Sequence, residues 1–366
     1  MQTRVILIAE DDAQAILSWE EDIREFNRDA TRLIQYVAKF AKSKRSAISI
    51  LDRVRVNCAA IDLRLPDDDG NPGGHDTDPI GNDVLERILL EVGVPAVVYS
   101  GYTQEVSELV AISRIRVIGK RGGGAMEALR WLAEHESLMS AMEVTRRRIA
   151  QESAKIFNQS IWPRWEDAWK RMDGHDVLAG VITRQIVSHV SEQLSLPPNY
   201  YHPEEFYVVP PLTSDRLDTG DLVKANDLIC VVVTPRCNMA RDSYPNHLML
   251  AVCKPMEDIW TAMRIRFNGD EKKQAAATKD LHLYASQGHS TGTHFLPPCG
   301  GKGPWLVDFK EVMTVSSSQA AALLETRFAS IAPQFIPNLV QRYAAYLGRI
   351  GQPDLDCDVL RAQICK

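Results

Sequence analysis

No two of the seven cysteines (Cys58, Cys230, Cys237, Cys253, Cys299, Cys357 and Cys365) form a Cys-x-x-Cys pair. That absence excludes a regular zinc module and a disulfide framework, and reduced thiols are the expectation. No apolar run is long enough to cross a membrane. The opening "MQTRVILIAEDD" meets acids after its short apolar stretch, so it is neither a secretory h-region nor a span. A cytoplasmic protein without membrane contact is therefore expected. Positive charge is not in excess either. The formal net charge is -6, which argues against a broad nucleic-acid-binding face. Arg146, Arg147 and Arg148 are the one dense basic cluster, and a solvated helix face explains them. The C-terminal half carries no recognisable nuclease, hydrolase or DNA-binding motif.

At 366 residues the chain has room for two or three domains, each with its own core. Four strand-like runs mark the first part: "RVILIAEDD" (4–12), "CAAIDLRLPD" (58–67), "VPAVVYSGYT" (94–103) and "SRIRVIGKRG" (113–122). Helical periodicity fills 15–42, 82–92, 104–112 and 125–140. Strand and helix alternate, which predicts a parallel, doubly wound α/β sheet. In such a sheet all strands end on one edge, where ligands bind. Glu10, Asp11, Asp62, Ser100 and Lys120 should then converge. Asp62 alone has a plainer reading as the cap of a turn. Three clustered carboxylates, however, repel one another and are tolerable around a cation, and oxygen ligands with room for water suit Mg²⁺. One carboxylate can then act as a nucleophile toward a phosphoryl group, with a hydroxyl and an ammonium on the transferring oxygens.

In the order of strands, acidic pair, aspartate, hydroxyl and lysine, residues 3 to about 140 resemble the receiver domain of bacterial response regulators. The resemblance implies a five-stranded flavodoxin-like fold in which Asp62 accepts phosphate from a histidine kinase's phosphohistidine. Glu10 and Asp11 would bind Mg²⁺ with Asp62, Ser100 would be the switch hydroxyl and Lys120 the phosphate-pairing cation. The sequence departs from the family in three places. The loop "DDDGNPGGHDTDPIG" (67–81) is long and acidic. Its Asp67, Asp68, Asp69, Asp76 and Asp78 lack regular ligand spacing for a second cation, and a solvated loop is the expectation. Lys120 is followed by Arg121 where the family usually has proline. The aromatic expected on the last strand is missing, with Arg116 and Val117 in its neighbourhood, so phosphorylation would be coupled to output differently.

The domain reading is a receiver over 1–140, a helical linker over 141–195, and an α+β output or interaction domain with a small barrel-like sheet over 196–366. In the linker, Trp162, Trp165 and Trp169 at helical spacing read as core or interface. The linker would join the receiver to the C-terminal domain or pair two protomers as a homodimer. In that last domain, Arg236, Cys237, Asn238, His247, Cys253, His282, His289, His294 and Asp308 invite an active-site reading. None shares a tight metal spacing, so structural roles are expected, with Cys237 buried and inert. "TPRCNM", "THFLPP" and "IPNLVQRYAAYLGRIGQPD" resemble the C-terminal half of uncharacterised receiver-linked proteins of bacterial defence operons, and that resemblance brings no activity with it. Three functions stand as alternatives. The first is a two-component signalling protein with output through protein contact and no enzyme activity beyond its own phosphorylation and dephosphorylation. The second is a phosphate sink or decoy in an antiviral defence pathway, partnered by a kinase and a second response regulator or effector. The third is a receiver-controlled effector enzyme using Cys237.

Overall fold

A computed structural model describes residues 2–69, 79–108, 110, 115–120, 124–170, 174–195, 201–213, 215–240, 246–349 and 354–365. The chain divides into two compact units, Met1–Leu196 and Pro197–Lys366. No helix among the described residues is long and apolar enough to cross a membrane.

The first unit is built on five parallel strands: β1 (Gln2–Ala9), β2 (Ile34–Ala41), β3 (Cys58–Ile61), β4 (Ala96–Ser100) and β5 (Arg116–Gly119). Their order is β2-β1-β3-β4-β5, the flavodoxin-like doubly wound order. Each strand feeds both faces because successive side chains alternate. Ile6, Ile8, Cys58, Ala60, Val97 and Tyr99 face a core closed by α1 (Ala13–Arg28) and α4 (Gly124–Glu134). Leu7, Ala9, Ala59, Ile61, Ala96 and Val98 face α2 (Lys44–Arg53) and α3 (Gly81–Arg87). The near-continuous apolar strands are thus explained by cover on both sides.

One sequence expectation is corrected here. Residues 15–42 are not one helix: α1 stops at Arg28 and β2 follows as an edge strand. Asn27 makes the break. Its side-chain amide donates to Tyr36 O at 2.8 Å and its oxygen accepts from Tyr36 N at 2.9 Å, tying the helix end to the strand. Asp29 adds a local turn, its Oδ1 accepting from the backbone N–H and hydroxyl of Thr31 at 3.0 and 2.6 Å. The predicted helix over 104–112 falls largely outside the described residues. Its start is a short 3₁₀ turn, Thr103–Glu105.

Helix α5 (Glu136–Ile156) leaves α4 after a break at His135 and is fastened to the sheet. Arg4, 2 % exposed at the start of β1, pairs with Glu136 and with Glu143 (2.5 Å). Arg146 donates to the carbonyls of Val92 and Gly93, the latter at 2.7 Å. Arg146 is therefore a docking residue and not simply part of a solvated face, whereas Arg147 pairs along the helix with Glu143 at 2.8 Å. Beyond α5 the chain continues as π- and 3₁₀-helical turns to Trp169 and returns as α6 (His175–Ser195). Trp169 is buried with Ile156 and Ile161 against Leu178, Ile182 and Ile186, as expected of a core tryptophan, while Trp162 is exposed.

The second unit carries a curled seven-stranded antiparallel sheet of β6 (Tyr207–Val208), β7 (Asp221–Ala225), β8 (Leu228–Val232), β9 (His247–Pro255), β10 (Thr293–Leu296), β11 (Trp305–Ser316) and β12 (Ala329–Ile331), in the order β10-β11-β9-β8-β7-β12-β6. Its longest strands are β9 (His247–Pro255) and β11 (Trp305–Ser316), whose register shifts between Asp308 and Val312. This is the curled sheet expected for the region.

Candidate phosphoacceptor site

The parallel register assembles the site. Ala9 pairs with Ile61, so Glu10 and Asp62 leave adjacent strands side by side, and the Asp62 N–H donates to Ala9 O at 2.9 Å. These two strands flank the point where the strand order reverses, the usual ligand position in such sheets. Ser100 pairs with Gly119, so Lys120 emerges next to the serine, its N–H donating to Ser100 O at 3.2 Å. Asp12 caps α1 by accepting from Ala15 N at 2.7 Å, which fixes the backbone just after Asp11. The five residues predicted to converge are brought to one edge. Glu10, Asp62 and Ser100 are buried and Asp11 is half-buried.

Lys120 Nζ lies at the centre. It donates to Asp62 Oδ2 at 2.5 Å and to Glu10 Oε1 at 2.9 Å. Glu10 Oε2 is 2.7 Å from the same nitrogen, yet it makes no hydrogen bond and is sealed from solvent. Burial pushes the Glu10 carboxyl up to about 7, against the pull of Lys120 and with a further upward push from Asp62. Burial acts to lower the Lys120 ammonium, but Glu10 and Asp62 outweigh it and its pKa is raised. The site is short of positive charge even with the lysine in place.

Glu10, Asp11 and Asp62 offer oxygens within 4.8 Å of one another, the one such group of three or more potential metal ligands among the described residues. The hard, all-oxygen donor set, with a Glu10 Oε2 that accepts no hydrogen bond, fits a divalent cation such as Mg²⁺. Among the described residues, the histidines and cysteines of the second unit do not assemble in this way.

Sequence reasoning missed a ring of polar contacts beside the site. Arg64, two residues after Asp62, donates its N–H to Asp62 Oδ1 at 3.3 Å. Its guanidinium makes a bidentate pair with Glu105 (Nε to Oε2, 2.9 Å) and lies 4.0 Å over the Tyr102 ring. Arg64 holds the partly exposed Glu105 carboxyl below its usual range. Tyr102 in turn donates its N–H to Ser100 Oγ at 3.2 Å. Asn82 of α3 completes the ring: its amide donates to Glu105 O and its oxygen accepts from Ser107 N, both at 2.9 Å. The only sequence signal was an arginine and a tyrosine each two positions after a site residue.

Of the acidic loop, Asp67 is 3.7 Å from Lys44 and Asp68 is 2.5 Å from Arg45. Asp76, Asp78 and Arg121 lie outside the described residues. Cys237 is a correction. It is exposed, on the single turn α7 (Arg236–Met239), because that turn presents Met239 to the core instead. Arg236 beside it faces Asp218 at 3.4 Å.

No protein-family model matches the chain, and no curated protein does. Among solved structures, the chain is similar to a CheY-like response regulator receiver domain from Methylobacillus flagellatus, at 17 % identity and a TM-score of 0.27, over 36 % of this chain and 98 % of that one. A CheY-like receiver domain protein from Methanospirillum hungatei is 18 % identical, with a TM-score of 0.29, over 38 % of this chain and 98 % of that one. A Thermotoga maritima response regulator, solved in complex with Mg(2+)-BeF, is 14 % identical with a TM-score of 0.27, over 35 % of this chain and 98 % of that one. The strand order and register of the first unit show a flavodoxin-like doubly wound fold.

Proposed function

We propose that the first unit is a phosphoacceptor receiver in two-component signalling, with Asp62 taking a phosphoryl group from the phosphohistidine of a histidine kinase. The observation that carries this reading is Lys120 Nζ placed between Asp62 Oδ2 and Glu10 on the edge where β1 and β3 part. An Asp62 carboxylate oxygen attacks phosphorus, the bond from phosphorus to the donor imidazole breaks, and the imidazole leaves with that electron pair. Lys120 shifts from its carboxylate pair toward a developing phosphoryl oxygen, and the Ser100 hydroxyl donates to another. Burial of Asp62 and Glu10 keeps water away from the resulting acyl phosphate and strengthens each of these contacts. Glu10, Asp11 and Asp62 are the residues that would hold Mg²⁺. When bound, the ion supplies charge neutralisation on the phosphoryl oxygens and between the acids.

The test is to incubate the full chain with Mg²⁺ and a small phosphoramidate and to follow intact mass. Gain of one phosphoryl group, removed by hydroxylamine and mapped to Asp62, is the expected result. A modification mapped to any other residue, or no modification at all, overturns the reading.

A further inference from the structure

The last strand offers no buried aromatic to report on the site: Val117 is exposed, and Arg116 is at the surface, 3.3 Å from Glu127. A different route runs from the site to the surface. Asp62 and Ser100, the two groups that would hold the phosphoryl, each contact the residue two positions downstream: Arg64 N–H on Asp62 Oδ1 and Tyr102 N–H on Ser100 Oγ. Those two downstream residues touch one another, guanidinium over ring, and Glu105 clamps the guanidinium with its carboxylate.

We propose that Arg64 is a latch that reads the phosphorylation state of Asp62, held by Glu105 when the aspartate is bare and drawn to the phosphoryl group when it is modified. This rests on the phosphoacceptor reading of Asp62. Its physical basis is a competition between two anions for one planar cation. A carboxylate offers one negative charge. A phosphoryl group offers closer to two, with more acceptor oxygens in a geometry that a guanidinium matches bidentately. Arg64 is anchored on the same loop as Asp62, so the exchange needs side-chain rotation and no movement of the strand. Its consequence is at the surface: the Glu105 carboxylate loses its partner and the Tyr102 ring loses its cover. At the same time Ser100 Oγ is turned from Tyr102 N–H toward the phosphoryl. Asn82 keeps the backbone of Glu105 and Ser107 tethered to α3, so the change is confined to the turn at Tyr102–Glu105.

Beryllofluoride with Mg²⁺ is the probe on the full chain, its binding followed by ¹⁹F resonances and the turn by amide hydrogen exchange over residues 101–106. In the native chain, exchange of this segment should rise about fivefold on binding, the scale of losing a well-formed, partly exposed ion pair. Glu105→Gln should show the raised exchange without the probe. The charge-swapped double variant Arg64→Glu with Glu105→Arg should restore slow exchange in the absence of the probe and, with no cation at position 64, lose the response that the native chain shows; a purely structural ion pair would give no response in either chain. Bound ¹⁹F signal with unchanged exchange in the native chain overturns the latch alone. Absence of bound ¹⁹F signal overturns the phosphoacceptor reading, and the latch with it.

Discussion

Gly81, the first residue of α3, lies so close to the Asp62 backbone that a Cβ added to it would stand 2.0 Å from Asp62 O and 2.7 Å from Leu63 Cα. The Gly81 N–H also donates to Leu63 O at 2.8 Å, so the helix start and the acidic strand end are pressed into one backbone contact. A side chain at position 81 would have to push the loop that follows Asp62 away.

Gly81→Ala should therefore destabilise the first unit by about 2–3 kcal/mol, as overpacking against backbone does. It should also slow Asp62 modification more than the stability loss explains. Urea unfolding paired with phosphoramidate labelling under conditions where the variant is folded checks both. A variant as stable and as reactive as the native chain would contradict the contact.

Asp62→Asn should abolish labelling while leaving the fold intact, because the amide keeps the shape and loses the nucleophile. The circular dichroism spectrum should be unchanged, and the rate should fall by at least about a hundredfold.

Asp11→Asn should weaken Mg²⁺ binding by about tenfold or more, since ligand charge sets the affinity of such sites. It should also raise thermal stability in the absence of the ion, because one of three crowded carboxylates is neutralised. An unchanged Mg²⁺ titration, followed by calorimetry, would remove Asp11 from the ligand set.

A fourth expectation concerns the second unit. His294, on β10 (Thr293–Leu296), is 1 % exposed and neither ring nitrogen has a hydrogen-bond partner. Burial, reinforced by Arg342 and His289, pushes its imidazole down to about 3. A depressed folded-state pKa means that the unfolded chain binds the proton first. The stability due to neutral His294 is thus fully present above pH of about 6.5 and is lost as pH falls toward 3. His294→Leu should flatten the dependence of the urea midpoint on pH between about 6.5 and 4. At pH 7 it should cost nothing or stabilise by about 1 kcal/mol, because it removes two unpaired buried nitrogens.

Most of the candidate site was legible because parallel-sheet topology turns five distant sequence positions into one edge, and each of its strands ends at a polar residue or just before one. Strand β2 was not. "IQYVAKFA" fits apolar spacing of three and four as well as alternation, and no glycine or proline separates it from α1. Asn27 and Asp29, the residues that make the break, do so through hydrogen bonds to Tyr36 and Thr31, of which only the second is local enough to read from sequence. The Arg64–Glu105 pair spans 41 positions and depends on where β4 ends relative to β3. Cys237 was misjudged because a single helical turn can present its cysteine outward while the methionine two places on takes the core.

The fastening of α5 by Arg4 and Arg146 bears on how the protein can be cut. A fragment ending at residue 140 would retain Glu136 but strip Arg4 of Glu143 and leave the carbonyls of Val92 and Gly93 without Arg146. Arg55 would also lose its acceptor, Glu143 O at 3.2 Å. Arg4 would keep Glu136, Gln2 and Ser140 and lose its Nη1 partner Glu143 at the foot of β1. The shortest excised piece that keeps the sheet's footing intact ends beyond Arg146, and one that also keeps Ile156 covered by Trp169 and the α6 face runs to the close of α6 at Ser195.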